Sequence, residues 1–232
     1  MQLFVGTSGY SYKEWKGPFY PQDLPDKEML NYYSSQLPAV EINNTFYRLP
    51  SVKMLENWQE QVPESFRFVL KASRKITHFK KLKETDEETN YLFKTAATLG
   101  EQLGVILVQL PPYLRKDIDL LQNFLKLIPD GKATFEFRHH SWFEEDVFES
   151  LRSKNCALNF SEMGDDSEIK LVSTANWGYL RLRRVDYDDK ALKDWMQRVQ
   201  AQDWQKVYVF FKHEDEGAGP KLARRFLEFA RT

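Results

Sequence analysis

A closed parallel β/α barrel of the triosephosphate-isomerase type, (β/α)8, is the fold class that three features of this sequence predict. Eight short apolar segments recur at roughly 22 to 38 residues, the repeat of a strand plus its crossover rather than the 8 to 12 of a sandwich. One of them, 104–110, is apolar on both faces until Gln109, as a strand of a parallel sheet buried beneath helices must be. The third feature is parity. Several segments carry polar residues of a single parity at their C-terminal ends: Glu41 and Asn43, Lys71, Gln109, Glu136 and Arg138, Arg181 and Arg183, and Lys212. Successive strand side chains alternate between faces, so one parity repeated around a barrel directs these groups into one mouth.

Composition agrees. With 232 residues, 42% hydrophobic and 15% aromatic, the chain can bury a large core and lies near the small end for one such barrel, so a single domain over 1–232 is expected. Lys and Arg number 33 against 34 Asp and Glu; a polyanionic partner would have to be met by a local patch. The one cysteine, Cys156, excludes an intramolecular disulfide framework and a CxxC site, and at the head of an apolar run it reads as a buried inert thiol. The N-terminus runs straight into a strand, and no window approaches the roughly 18 apolar residues of a membrane span. A cytoplasmic monomer with no membrane partner is the expectation.

Strand one, 3–5, is expected to break at Gly6-Thr7-Ser8-Gly9, and the loop 10–25 that follows carries Tyr10, Tyr12, Trp15, Phe19 and Tyr20 among prolines that forbid a regular helix. Such a loop either stacks a ring over the mouth through Tyr10, Tyr12 or Trp15, or packs on its own side chains. A short helix over 27–36 leads to strand two, 39–43, and a loop from Asn44 to Pro50; Ser51 then caps a helix running toward Gln61. Strand three, 66–72, opens into 73–83, the densest basic run of the chain, with His78 in its middle. It reads either as a phosphate-contacting loop or as a solvated face. Helices over 87–103 and 117–128 flank the fourth strand, and the fifth runs through Thr134-Phe135-Glu136-Phe137-Arg138. A helix over 143–153 leads to a sixth strand, 156–161. Only 163–176 remains before the seventh strand, too little for the usual helix, so an irregular connection is expected there. Strand 178–183, helix 189–200, strand 206–212 and helix 220–230 complete the pattern.

Several motifs occur together in fixed order: Gly6-Thr7-Ser8-Gly9-Tyr10 with Trp15 and Phe19-Tyr20-Pro21, Glu41-Ile42-Asn43-Asn44-Thr45-Phe46-Tyr47, Lys71 with Thr77-His78, Gln109-Leu110-Pro111-Pro112, Glu136-Phe137-Arg138-His139 with Ser141-Trp142, and Tyr179-Leu180-Arg181. In this the chain resembles the YecE-like family, a domain of unknown function (72), along nearly its whole length. The resemblance implies a barrel of the same type and brings no established reaction. The chain departs from the family pattern at Ser161-Glu162, where an aspartate is common, and at Leu182-Arg183-Arg184, where His-Gly is commoner; the roles of Glu162, Arg183 and Arg184 stay open.

The strand-end residues imply either an anion-binding mouth, because Arg forks suit phosphate and carboxylate, or an internal network of paired charges that only satisfies the barrel top. Lys71, Arg138, Arg181 and Lys212 would hold a small anionic, phosphate-bearing ligand, Asn43 and Gln109 would orient it, and Tyr10, Trp15 and His78 would line the approach. Glu41 and Glu136 are the candidate catalytic acid/base groups of a hydrolase or isomerase. The competing class is a nucleic-acid binding protein or repair-nuclease-like enzyme, using the basic loop after strand three and the aromatic loop after strand one. No cofactor and no metal are expected. His78, His139 and His213 follow strand ends near Glu41, Glu136 and Glu162, but no HxH, HxxxH or HExxH spacing occurs and a cationic mouth repels a metal ion. A two-carboxylate glycosidase is disfavoured by Gln109 and Arg181 at the ends of strands four and seven, and the chain has no dinucleotide fingerprint, P-loop or serine elbow.

Overall fold

The alternation of apolar strands and amphipathic helices closes into a ring in the computed structural model, which describes residues 1–162, 171–184, 186–212 and 217–230. Among these residues nine parallel strand segments form one sheet in the order β6-β5-β4-β3-β2-β1-β9-β8-β7. They are β1 (Gln2–Ser8), β2 (Ala39–Ile42), β3 (Arg67–Lys71), β4 (Leu103–Gln109), β5 (Ala133–Glu136), β6 (Ala157–Leu158), β7 (Phe160–Ser161), β8 (Trp177–Leu182) and β9 (Lys206–Phe211). The two ends of that order, β6 and β7, are halves of one strand position split at Asn159. β6 pairs with β5 and β7 with β8, so the ring joins through the split. The eight-strand barrel expectation thus holds with its sixth strand divided.

The helices are α1 (Met29–Gln36), α2 (Asn44–Tyr47), α3 (Val52–Gln59), α4 (Asp86–Ala96), α5 (Ile118–Leu125), α6 (Glu145–Ser153), α7 (Asp189–Gln200) and α8 (Ala218–Phe229). Their starts follow local chemistry. Ser51 Oγ accepts from Met54 N, Asp117 Oδ1 from Leu120 N, and Asp188 Oδ1 from Ala191 N, each satisfying an orphan amide of a first turn. The residues 171–176 before β8 hold no helix, in line with the irregular sixth connection; 163–170 lie outside the described residues.

Two layers of core follow from strand parity. Ala39, Val69, Val105, Leu107, Tyr179 and Phe210 belong to a cluster filling the barrel lumen. Residues of the other parity, such as Val40, Leu70, Ile106, Leu180 and Val209, pack outward with Leu55, Leu92, Leu121, Leu151 and Phe226 of the helices. Cys156 is buried, and burial pushes its thiol up to about 12, which suits an inert side chain.

Three local expectations are corrected. β1 does not break at Gly6 but continues to Ser8, because Gly6 is a close-approach residue: a Cβ there would overlap the Ala39 carbonyl oxygen and lie 2.9 Å from the Tyr33 hydroxyl. Asn44–Tyr47, expected as loop, forms the short α2, with Asn43 O accepting from Phe46 N at 3.0 Å. The basic loop after β3 contains a π-helical turn over Lys75–Phe79, followed by Lys81, Leu82 and Glu84 at positive φ, a strained path for residues with side chains.

Candidate functional site

The lumen-facing parity carries charge at the strand ends: Arg67 and Lys206 start β3 and β9 at the N-terminal side, and a larger group gathers at the C-terminal side. Glu41 continues the line of Ala39, Lys71 that of Val69, Gln109 that of Leu107, Glu136 that of Thr134, and Arg181 that of Tyr179. Registers set them level: Ser8 lies beside Glu41, Gln109 beside Glu136, and Ser161 beside Arg181. Glu41, Lys71, Gln109, Glu136, Arg138 and Arg181 therefore converge, as the parity argument requires.

Arg181 joins the two carboxylates. Its Nη2 donates to Glu41 Oε1 at 2.8 Å and its Nη1 to Glu136 Oε2 at 2.7 Å, and the three side chains are 2%, 0% and 1% exposed. Glu41 Oε2 accepts from the Tyr179 hydroxyl at 2.6 Å. Glu136 is the hub. Its Oε1 accepts from Gln109 Nε2 at 2.7 Å, Arg138 Nε at 3.2 Å and Arg183 Nη2 at 3.2 Å, and its Oε2 also accepts from Asn159 Nδ2 at 2.9 Å. The break at Asn159 thus has a use: it brings an amide to the hub from the split strand.

Electrostatics follow from this wiring. Burial alone would raise the Glu136 carboxyl, but Arg181, Arg183 and Arg138 overcome it and hold it at about 2. Burial opposes the charge of Arg181, and Glu41 and Glu136 more than restore it. Burial, then the charge of Glu41, raises the Tyr179 hydroxyl well above its ordinary value, so it donates to Glu41 as a neutral phenol. Lys71 differs. Burial, then Arg181, pushes its ammonium down to about 8. Its Nζ lies 4.4 Å from the centroid of the Phe46 ring. Four cations, Lys71, Arg138, Arg181 and Arg183, stand against two carboxylates at the mouth, a surplus of two positive charges. Four buried polar atoms there, Ser8 Oγ, Asn159 Oδ1, Arg181 Nε and Arg183 Nε, make no hydrogen bond among the described residues. Ser8 Oγ and the two Nε groups are unpaired donors beside surplus positive charge, while Asn159 Oδ1 is an unpaired acceptor.

Other expected residues lie elsewhere. Trp15 is fully buried, packed edge-on against Phe19 and at a tilt against Tyr12 and Tyr20, so it cannot stack a base; the loop packs on its own side chains. Lys212 is exposed beyond the end of β9 and forms no ion pair among the described residues. Tyr10 and Asn43 line a side cleft of about 200 Å³ with Tyr12, Asn44 and Trp58. His78 sits edge-on to Phe46 with its Nδ1 2.8 Å from Thr77 Oγ1, and burial, followed by Lys71 and Arg138, lowers its pKa. His139 turns to Ser141, whose Oγ lies 2.8 Å from its Nδ1. Glu162 bears electrostatically on Arg198 of α7, and His213 lies outside the described residues. Among the described residues no cluster of three His, Cys, Asp or Glu side chains is arranged to hold a metal ion, and no helix is long and apolar enough to cross a membrane.

The basic loop is partly neutralised. Lys75 and Lys80 both pair with Glu88, at 2.8 and 2.9 Å. Beside it stand three exposed rings, Tyr47 (66%), Phe79 (68%) and Tyr113 (62%). Arg74 packs over Tyr47 and Phe79, and Lys81 over Tyr113. Sequence reasoning missed these rings, along with Tyr179 and Asn159 as members of the network; it placed Arg183 at the mouth and left its role open. Strand parity marked Tyr179 and Arg183, which share the face of Arg181; nothing local marked Asn159.

Fold and site together define a parallel β/α barrel with a buried Glu-Arg-Glu network at its C-terminal mouth. The model of a protein family of unknown function, DUF72, matches residues 4–232, and the chain belongs to that family. Among its relatives, the UPF0759 protein YunF of Bacillus subtilis is 22% identical over 230 residues, covering 92% of this chain and 79% of YunF. The UPF0759 protein YecE of Escherichia coli is 29% identical over 144 residues, 61% of this chain and half of YecE. The crystal structure of a DUF72 family protein from Thermotoga maritima superposes with a TM-score of 0.83 at 24% identity over 100% of both chains. One from Enterococcus faecalis gives 0.76 at 19% identity, covering 99% of this chain and 94% of that one. These structures are alike in fold.

Proposed function

We propose that the mouth binds a small anionic, phosphate-bearing ligand. The observation that carries this reading is the surplus of two cations beside the buried, unpaired Nε groups of Arg181 and Arg183. Because both Nη atoms of Arg181 are engaged by Glu41 and Glu136, the ligand contacts fall to Lys71, Arg138, Arg183 and the remaining Nε of Arg181. Gln109 acts through Glu136, whose position it fixes, and Asn43 with Tyr10 flanks the approach. Glu41 and Glu136 are the carboxylates for hydrolase or isomerase chemistry; Glu136 enters it ionised. The test compares thermal midpoints in sodium phosphate, glycerol 3-phosphate and sodium chloride at equal ionic strength. A ligand at about 100 times its Kd stabilises by about 2.7 kcal/mol, and Arg183→Met is expected to abolish that gain. Equal midpoints in all three salts, or an undiminished gain in the variant, would overturn the reading.

A second reading, single-stranded nucleic-acid binding, is favoured by one observation. The exposed rings Tyr47, Phe79 and Tyr113 carry cations on their faces and flank the basic loop, the composition of a base-stacking platform with phosphate contacts.

A further inference from the structure

Among the described residues Lys71 is the half-buried cation of the mouth that the network leaves unpaired. Arg138, Arg181 and Arg183 each donate to Glu136, and Arg181 also to Glu41. Both oxygens of Glu41 are engaged, one by Arg181 and one by Tyr179, and Glu136 accepts five donors. Among the described residues Lys71 has neither a hydrogen bond nor an ion pair at Nζ, only the Phe46 ring. The charged groups bearing on it are Arg181 and Arg138, which disfavour its protonation, and Glu41 and Glu136, which favour it; its effect is felt in turn by His78. A carboxylate partner would hold this amine protonated and inert. Burial and two guanidiniums do the reverse, the way amine nucleophiles are activated.

We infer that Lys71 is an amine nucleophile that forms an imine with an aldehyde or ketone carrying a phosphate group, the guanidiniums of Arg138 and Arg183 receiving the phosphate. This rests on the anion reading of the mouth and adds the reacting atom. The Nζ lone pair forms a bond to the carbonyl carbon as the C=O π bond breaks. The resulting carbinolamine then takes one proton from solvent and loses its oxygen as water, leaving a protonated imine on Lys71. No oxidant or reductant is needed. The low value of the ammonium, about 8, means that a large share of the amine is free of its proton in mildly alkaline solution.

The experiment incubates the intact protein with glycolaldehyde phosphate or with unphosphorylated glycolaldehyde, near pH 8 in sodium cyanoborohydride, and reads reduced adducts by peptide mass spectrometry. With the phosphorylated probe the Lys71 adduct should exceed those of the exposed Lys27 and Lys53 by about tenfold or more, since ordinary lysines are almost wholly protonated there. Unfolding in urea should level the three sites. Lys71→Arg, which keeps a cation at the mouth, should lose the excess labelling. Labelling of Lys71 no greater than that of Lys27 and Lys53 with either probe would overturn the inference. A phosphate-dependent rise in thermal midpoint without the Lys71 adduct would sink the imine and leave the anion reading standing. Preferential Lys71 labelling that is equal for the two probes would sink the phosphate preference and leave the nucleophile.

Discussion

Replacing Arg181 by methionine removes the one side chain that holds both buried carboxylates of the mouth. Glu136 keeps four of its five donors, but Glu41, 0% exposed, is left with the Tyr179 hydroxyl alone. The cost therefore concentrates on Glu41. Taking one partner from a buried ion pair costs about 3 to 5 kcal/mol, because the remaining charge is neither solvated nor paired. At roughly 2 to 4 °C per kcal/mol for a chain of this size, the thermal midpoint should fall by about 10 °C. Urea unfolding at neutral pH followed by circular dichroism is the assay, with the double variant Glu41→Gln/Arg181→Met beside the single one. The double should recover much of the loss, since it removes the stranded charge. A loss below about 1 kcal/mol for Arg181→Met, or a double variant no more stable than the single, would refute the account of Arg181 as the bridge.

Three other outcomes are expected. Glu136 is held at about 2, below the usual carboxylate range, so its contribution of about 3 kcal/mol is present above about pH 4.5 and lost as pH falls through 2; acid unfolding of Glu136→Gln should lack that dependence. Lys71, pushed down to about 8, binds fewer protons folded than unfolded between about pH 8 and 10, so wild-type stability should rise over that window, while Lys71→Met should be more stable by about 1 to 3 kcal/mol near neutral pH and lack the rise in pH-dependent urea titrations. For the nucleic-acid reading, fluorescence anisotropy of a labelled single-stranded oligonucleotide should show a log-log salt slope near about -0.7 per contact that shrinks when Arg74 and Lys81 are neutralised together; no salt-dependent binding would remove that reading.

Much of this was legible along the chain, and the physical reason is the period of two. Once Phe135 and Phe137 are placed on the helix side of their strand, Glu136 and Arg138 must face the lumen, and the same rule places Glu41, Lys71, Gln109 and Arg181. What a parity rule cannot supply is which charge meets which. The wiring of Arg181 to both Glu41 and Glu136 spans sequence separations of 140 and 45 residues and depends on the barrel's curvature. Gly6 reads locally as a turn residue, yet it serves the approach of the Ala39 carbonyl and Tyr33, a tertiary requirement. Trp15 shows the same limit, since an aromatic loop has one composition whether its rings face a ligand or one another.

The split of the sixth strand gives the barrel a seam, with a consequence for how the ring assembles. The sheet runs unbroken from β6 round to β7, and among the described residues its two edges meet where residues 157–159 pair with β5 and residues 160–162 pair with β8. So short a stitch joins two arcs that must both be in place, so ring closure is expected late in folding and its amides are expected to exchange with solvent sooner than those between β1 and β9 in native-state hydrogen exchange. Asn159 lies in the middle of the stitch and reaches Glu136. Closing the ring and completing the mouth are thus a single event, and a chain that has not closed has no finished site.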